Sequence, residues 1–250
     1  MGKFFNVTVK PDMSRDAGTT ACNIPFGAKD ILFDWTPFQI PKGSACLNGV
    51  ECLIRGTEGV KQAGLDDIEL LFAKTVNGAA PSNLGVINAI ISKNGWFNHI
   101  INSLLIDVSA YGTDYVYMST ASAKAHNDDS AVLTGEPNTG DNVGYDTLYV
   151  AGIATTAGYD FGTGVIVDGS LTASGGVKVI NADGVAGDVC FDIKDVLVHA
   201  DGTAIGTIKT VTDDGSHTTI TLEDNIPANL GDGVEICNKN PLTFILSFEK

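Results

Sequence analysis

The stretch Leu242-Thr243-Phe244-Ile245-Leu246-Ser247-Phe248 decides the fold class. Leu242, Phe244, Leu246 and Phe248 fall on one side of an extended backbone, with Thr243, Ser247 and then Glu249 among the residues on the other. Successive side chains of a strand point to opposite faces, so this period of two is the mark of a half-buried strand. The same rhythm recurs earlier in the chain. Phe5, Val7 and Val9 share one face; Ile31, Phe33 and Trp35 share another, with Asp30, Leu32 and Asp34 opposite. Val50, Cys52 and Ile54 follow, then Ile68, Leu70 and Phe72, then Tyr115–Met118 and the apolar run Leu148–Ala154. Turn formers stand between them at Pro41-Lys42-Gly43, Asn77-Gly78, Asn94-Gly95 and Pro137–Gly140. Only residues 82–92 read as well as a short helix.

Composition agrees with strands. Among 250 residues there are 29 Gly but few Met, Trp or Pro, and Val, Ile, Thr, Asp and Asn outweigh the residues that build long helices. The expected class is all-β: a jelly-roll-like β-sandwich over residues 1–157, then a small C-terminal β-barrel. Ala154–Gly176 is rich in Ala, Thr, Gly and Ser, so 158–176 is expected to be a linker, with one short strand at Val165–Val167. The barrel, 177–250, would take its strands from Asp188–Ile193, Val196–His199, Ala204–Thr212, Thr218–Leu222, Gly233–Cys237 and Leu242–Phe248, with hairpin turns at Asp201-Gly202 and Asp214-Gly215.

The net charge of −15 is uneven. Residues 1–140 carry 10 Lys or Arg against 14 Asp or Glu, whereas 141–250 carry 5 against 16. Such a surface repels nucleic acid and anionic membranes, so neither is an expected partner. The start of the chain runs straight into the alternation Asn6–Lys10, which reads as a strand and not as a signal peptide. No apolar run has the length of a membrane-spanning helix. Five cysteines, Cys22, Cys46, Cys52, Cys190 and Cys237, form no C-x-x-C pair, which fits reduced thiols made in a cytoplasm.

Catalytic patterns are missing: there is no G-x-S-x-G, no P-loop and no H-E-x-x-H. Gly162-Thr163-Gly164 does not open a helix and reads as linker. His99, His126, His199 and His217 have no partner at zinc-site spacing, and His217, alternating with Thr219 and Thr221, reads as an exposed strand residue. The acidic turns Asp183–Asp188 and Asp213-Asp214 lack the spaced oxygen ligands of a calcium loop. Asp66 and Asp67 are adjacent and would point apart on a strand. The sequence therefore names no catalytic, cofactor-binding or metal-ligating set. What it offers is aromatic: Trp35, Phe38, Trp96, Phe97 and Tyr111 are the candidate interaction residues, and the clusters Trp96–His99 and Tyr111–Tyr117 would fill the sandwich or a subunit interface, or stack on sugars.

Two groups of segments carry a resemblance. Ala186–Asp192, Asp201–Val211, Thr219–Glu223 and Gly231–Ile236 resemble a small β-barrel module that recurs in virion structural proteins of tailed bacteriophages, particularly the T4-like phages of marine cyanobacteria. Ile31–Gly43, Leu53–Thr57, Gly135–Gly140 and Tyr145–Val150 are similar to virion structural components of the same phages. The resemblance implies a non-enzymatic, homo-oligomeric virion protein, without cofactor, whose partners are other virion proteins. An outer capsid decoration or cement role is the leading expectation, with a tail, neck or baseplate position as the rival. A carbohydrate-binding module is the rival of another class.

Overall fold

A computed structural model describes residues 2–14, 24–55, 67–107, 113–114, 118–124, 131–136, 144–159, 161, 165–183, 191–199, 201–213 and 217–250. Its strands are, in chain order, β1 (Phe4–Val9), β2 (Ile31–Pro41), β3 (Ser44–Arg55), β4 (Ile68–Lys74) and β5 (Ile100–Ile106). They continue with β6 (Thr113–Asp114), β7 (Met118–Lys124), β8 (Ala131–Thr134), β9 (Tyr145–Ala154), β10 (Ile166–Val167) and β11 (Val179–Asp183). The last five are β12 (Val196–His199), β13 (Ala204–Asp213), β14 (Thr218–Leu222), β15 (Ile236–Asn238) and β16 (Leu242–Glu249).

One sheet runs β1-β16-β3-β7-β6, with β8 also on β3, and a second runs β2-β9-β4-β5. Setting aside the short β6 and β8, these two sheets hold eight strands. The first, eighth, third and sixth of them neighbour one another in one sheet. The second, seventh, fourth and fifth do so in the other. That order is the jelly roll. The expected jelly-roll-like sandwich is thus present, with a difference in its boundaries. Its eighth strand is β16, which pairs along its whole length with β3 and, from Phe244 to Glu249, with β1. The sequence reading placed Leu242–Phe248 in the barrel; alternation fixes which face of a strand is apolar but not which strand lies beside it.

The barrel is therefore an insertion between the seventh and eighth jelly-roll strands. Its sheet runs β10-β11-β14-β13-β12-β15. It closes where the Val167 N–H donates to Val234 O at 2.8 Å and the Ile236 N–H to Val165 O at 3.0 Å. β14 falls where the sequence placed it, while β15 is shorter and later than Gly233–Cys237. Of the strand expected at Asp188–Ile193, residues 188–190 lie outside the described residues, as do Asp214-Gly215 and Gly162–Gly164. The described part of 158–176 is not a free linker. Tyr159 and Phe161 are buried in the sandwich core, and Val165 and Val167 in the barrel core. Two apolar anchors on each side of a composition rich in small residues hold the crossing in place.

The space between the two jelly-roll sheets is filled. Phe33 and Phe38 from β2, Phe72 from β4 and Phe244 and Phe248 from β16 are all buried in one core, with Val50, Cys52 and Ile54 of β3. Each large apolar side chain contributes about 1.5–3 kcal/mol on burial. Gly152 of β9 is required by this packing, because a Cβ there would overlap the Phe33 ring. The outer face of the second sheet is covered too. Residues 82–92 form no helix; the Leu84 carbonyl accepts from the N–H groups of Ser92 and Lys93, each at 3.2 Å, closing an irregular loop. That loop and Trp96 pack on Ile31, Ala151 and Ile153. With both faces covered, Ile31, Leu32 and Phe33 are all fully buried, and β2 accommodates this with register shifts around Phe33.

Among the described residues, no helix is long and apolar enough to cross a membrane. Cys46 and Cys52 are free, but Cys237 is disulfide-bonded, which corrects the expectation of five reduced thiols. Spacing along the chain does not report proximity in space.

Candidate functional site

The aromatic residues singled out from sequence separate into different roles. Trp35 on β2 and Trp96, at the entry to a 3-10 turn over Phe97–His99, have ring centroids 6.2 Å apart, and Trp96 and Phe97 are 4.4 Å apart. Both indoles are anchored. Trp35 Nε1 donates to Ser82 O at 2.9 Å and Trp96 Nε1 to Lys93 O at 2.7 Å. The turn is fixed from the side by His99 Nδ1, which lies 2.9 Å from Lys74 O. Trp96 is only 8% exposed, whereas Phe97 stands out at 62%. The ladder thus rises from a half-buried Trp35 through a buried Trp96 to an exposed phenyl ring. Val86 and Ile90, on the loop covering the same sheet face, are exposed as well.

Phe38 does not belong here. It is 5% exposed and sits between Phe72 and Phe248 inside the sandwich, so its reading as a contact residue is corrected. The alternation of β2 turns Phe38 and Ile40 inward while Pro37 and Gln39 face out. Tyr111 lies outside the described residues. A sugar-stacking platform needs exposed ring faces; Trp96 is covered, whereas the Phe97 ring is exposed.

A second constellation was not visible in the sequence. Asp168, Asp183 and His217 each bring a ligand-type atom within 4.8 Å of the other two. They are separated by long stretches of chain and become neighbours only through barrel pairing.

A third joins barrel to jelly roll. Asp195, 7% exposed, accepts from the N–H of Asp192 and from Asn238 Nδ2, each at 2.8 Å, and lies 3.4 Å from an Arg55 guanidinium nitrogen at the end of β3. Burial raises the Asp195 carboxyl above the usual carboxylate range, with Arg55 as the largest opposing influence. Nearby, the Met13 N–H donates to Lys239 O at 2.9 Å and Asn240 Nδ2 to Pro11 O at 2.7 Å. A concavity of about 430 Å³ on the barrel is lined by Lys194, Lys209 and Glu223, with Lys194 paired to the Glu223 carboxylate.

No protein-family model and no curated protein matches the chain. Among solved structures, the chain is similar to the VP2 subviral particle of infectious bursal disease virus at 8% identity and to the Gx strain of that virus at 9%. Each alignment covers 99% of this chain, against 41% and 40% of the other, with TM-scores of 0.16. A mutant VP2 in derived T=1 particles gives 8% identity, 99% and 40% coverage and a TM-score of 0.17. The chain thus spans about two fifths of the length of those proteins. Superpositions this loose carry no argument, and the jelly-roll assignment stands on strand order alone.

Proposed function

We propose that this chain is a non-enzymatic structural component of a virus particle, acting as an outer capsid decoration or cement protein of a tailed phage. The observation that carries the reading is the filled interior of the jelly roll. Five phenylalanine side chains occupy the space where a ligand-binding jelly roll would hold its ligand, so the fold's available chemistry lies on its outer surfaces. A fold alone does not specify a role. Here the resemblance of the barrel segments and of Ile31–Gly43 to phage virion proteins gives the direction. The surplus of acidic over basic residues suits an outside position better than one against packaged DNA.

On this reading the jelly roll contacts the shell and further copies of itself, with Phe97 and its supporting ladder at a contact. The inserted acidic barrel projects or braces a neighbouring subunit. Partners are other virion proteins, and the location is the virion. Pelleting purified protein with separated heads and tails of the same virus tests this. Saturable pelleting with heads is expected, weakened by Phe97→Ala. Pelleting with tails alone would move the protein to a tail, neck or baseplate position, and pelleting with neither would overturn the virion reading.

A further inference from the structure

On the outer face of the barrel, two carboxylates and an imidazole converge from three neighbouring strands. β11 lies between β10 and β14, with Ile166 opposite Asp183 and Ala182 opposite Thr218. Val167, Ala182 and Thr218 are buried. Their chain neighbours Asp168, Asp183 and His217 therefore point outward, since strand side chains alternate. The Asp168 backbone is held by its N–H donating to Asn181 O at 2.9 Å. His217 Nε2 is 3.3 Å from Asp183 Oδ1 and 3.9 Å from Asp168 Oδ2.

We propose that Asp168, Asp183 and His217 form a divalent-cation site of the zinc type. The first support is spacing. Zinc binds nitrogen and carboxylate oxygen at about 2.0–2.2 Å, which puts neighbouring ligands of a tetrahedron roughly 3.3–3.6 Å apart. The His217–Asp183 separation is already there, and the His217–Asp168 separation needs a side-chain adjustment of a few tenths of an ångström. The second is donor type. An imidazole nitrogen with two carboxylates suits zinc or manganese, whereas calcium and magnesium take all-oxygen shells. The third is charge. Neither carboxylate has a Lys or Arg partner among the described residues, on a half of the chain with 16 acidic against 5 basic residues.

All three side chains are 46–48% exposed, which leaves a remaining coordination position to water or to a donor from another molecule. The site also has a mechanical use. β10 is only two residues long, and a cation there would clamp this seam strand to β11 and β14.

Isothermal titration of chelator-stripped protein with zinc chloride tests the site, beside His217→Ala and Asp183→Asn. These are outward-facing positions, and far-ultraviolet circular dichroism checks that both variants fold. One equivalent is expected in the wild type, with binding weakened at least about tenfold in each variant, since loss of even an outer-shell partner costs that much. Zinc should raise the melting temperature of the wild type only. Absence of saturable uptake, or uptake unchanged in both variants, would overturn the site. Equal binding of calcium would overturn its zinc-type character.

Discussion

The Phe244 ring centroid lies 5.4 Å from that of Phe33, so β16 is packed across the sandwich against β2, an edge strand of the facing sheet. Residues 211 positions apart thereby close the jelly roll, and the barrel between them is carried as an insertion.

Phe244→Ala is accordingly expected to cost about 3–5 kcal/mol, as large-to-small changes at buried aromatic positions do. Urea denaturation followed by tryptophan fluorescence measures it, because Trp35 and Trp96 both report on the jelly roll. A loss confined to the barrel, with the tryptophan transition unmoved, would contradict the assignment of β16.

Gly152→Ala addresses the same contact from the other side. The added methyl overlaps Phe33, and overpacking of this kind costs about 1–3 kcal/mol. Combined with Phe33→Leu the penalty should shrink, which a double-mutant cycle resolves.

How much of this was legible follows from what each signal encodes. Alternation located β14 and β16 and identified Cys52 as core, because burial on one face is a local property. Asn77-Gly78 was legible as a turn: both residues have positive φ, and Val76 and Ala79 exchange hydrogen bonds across it. The neighbour of β16 was not, since pairing with β1 joins the two ends of the chain. Small-residue composition concealed the anchors Tyr159 and Phe161, whereas the short strand expected at Val165–Val167 was legible and is present as β10. At the contact site, Phe97 was legible as an aromatic, but only the turn geometry separates its exposed ring from buried Trp96. The Asp168–Asp183–His217 set had no sequence signal, because its spacing is created by barrel register.

The junction makes a pH prediction. The Asp195 carboxyl is raised by burial, so the folded chain holds its proton more tightly than the unfolded one. Its contribution to stability is complete below the ordinary aspartate range, about 3.9, and is lost as pH rises through the raised folded value. Asp195→Asn removes that loss while keeping an oxygen acceptor for Asn238. Relative to the wild type, the variant's urea midpoint should therefore improve between pH 4 and pH 7. A relative decline over that interval would contradict the account.

Thiol reactivity should divide sharply. Burial pushes the Cys52 thiol far above its ordinary range, and alkylation requires the thiolate. Cys46 is half-buried and free. Iodoacetamide followed by peptide mass spectrometry should mark Cys46 and spare Cys52 in the folded protein, and mark both in urea.

The central claim is that this jelly roll works by contact on a particle. Gold-labelled antibody against the inserted barrel, imaged on intact virions by electron microscopy, tests it most directly. The account predicts regular labelling over the head, dense enough to reflect many copies. Virions that carry no label, while the same antibody binds the purified protein, would contradict it.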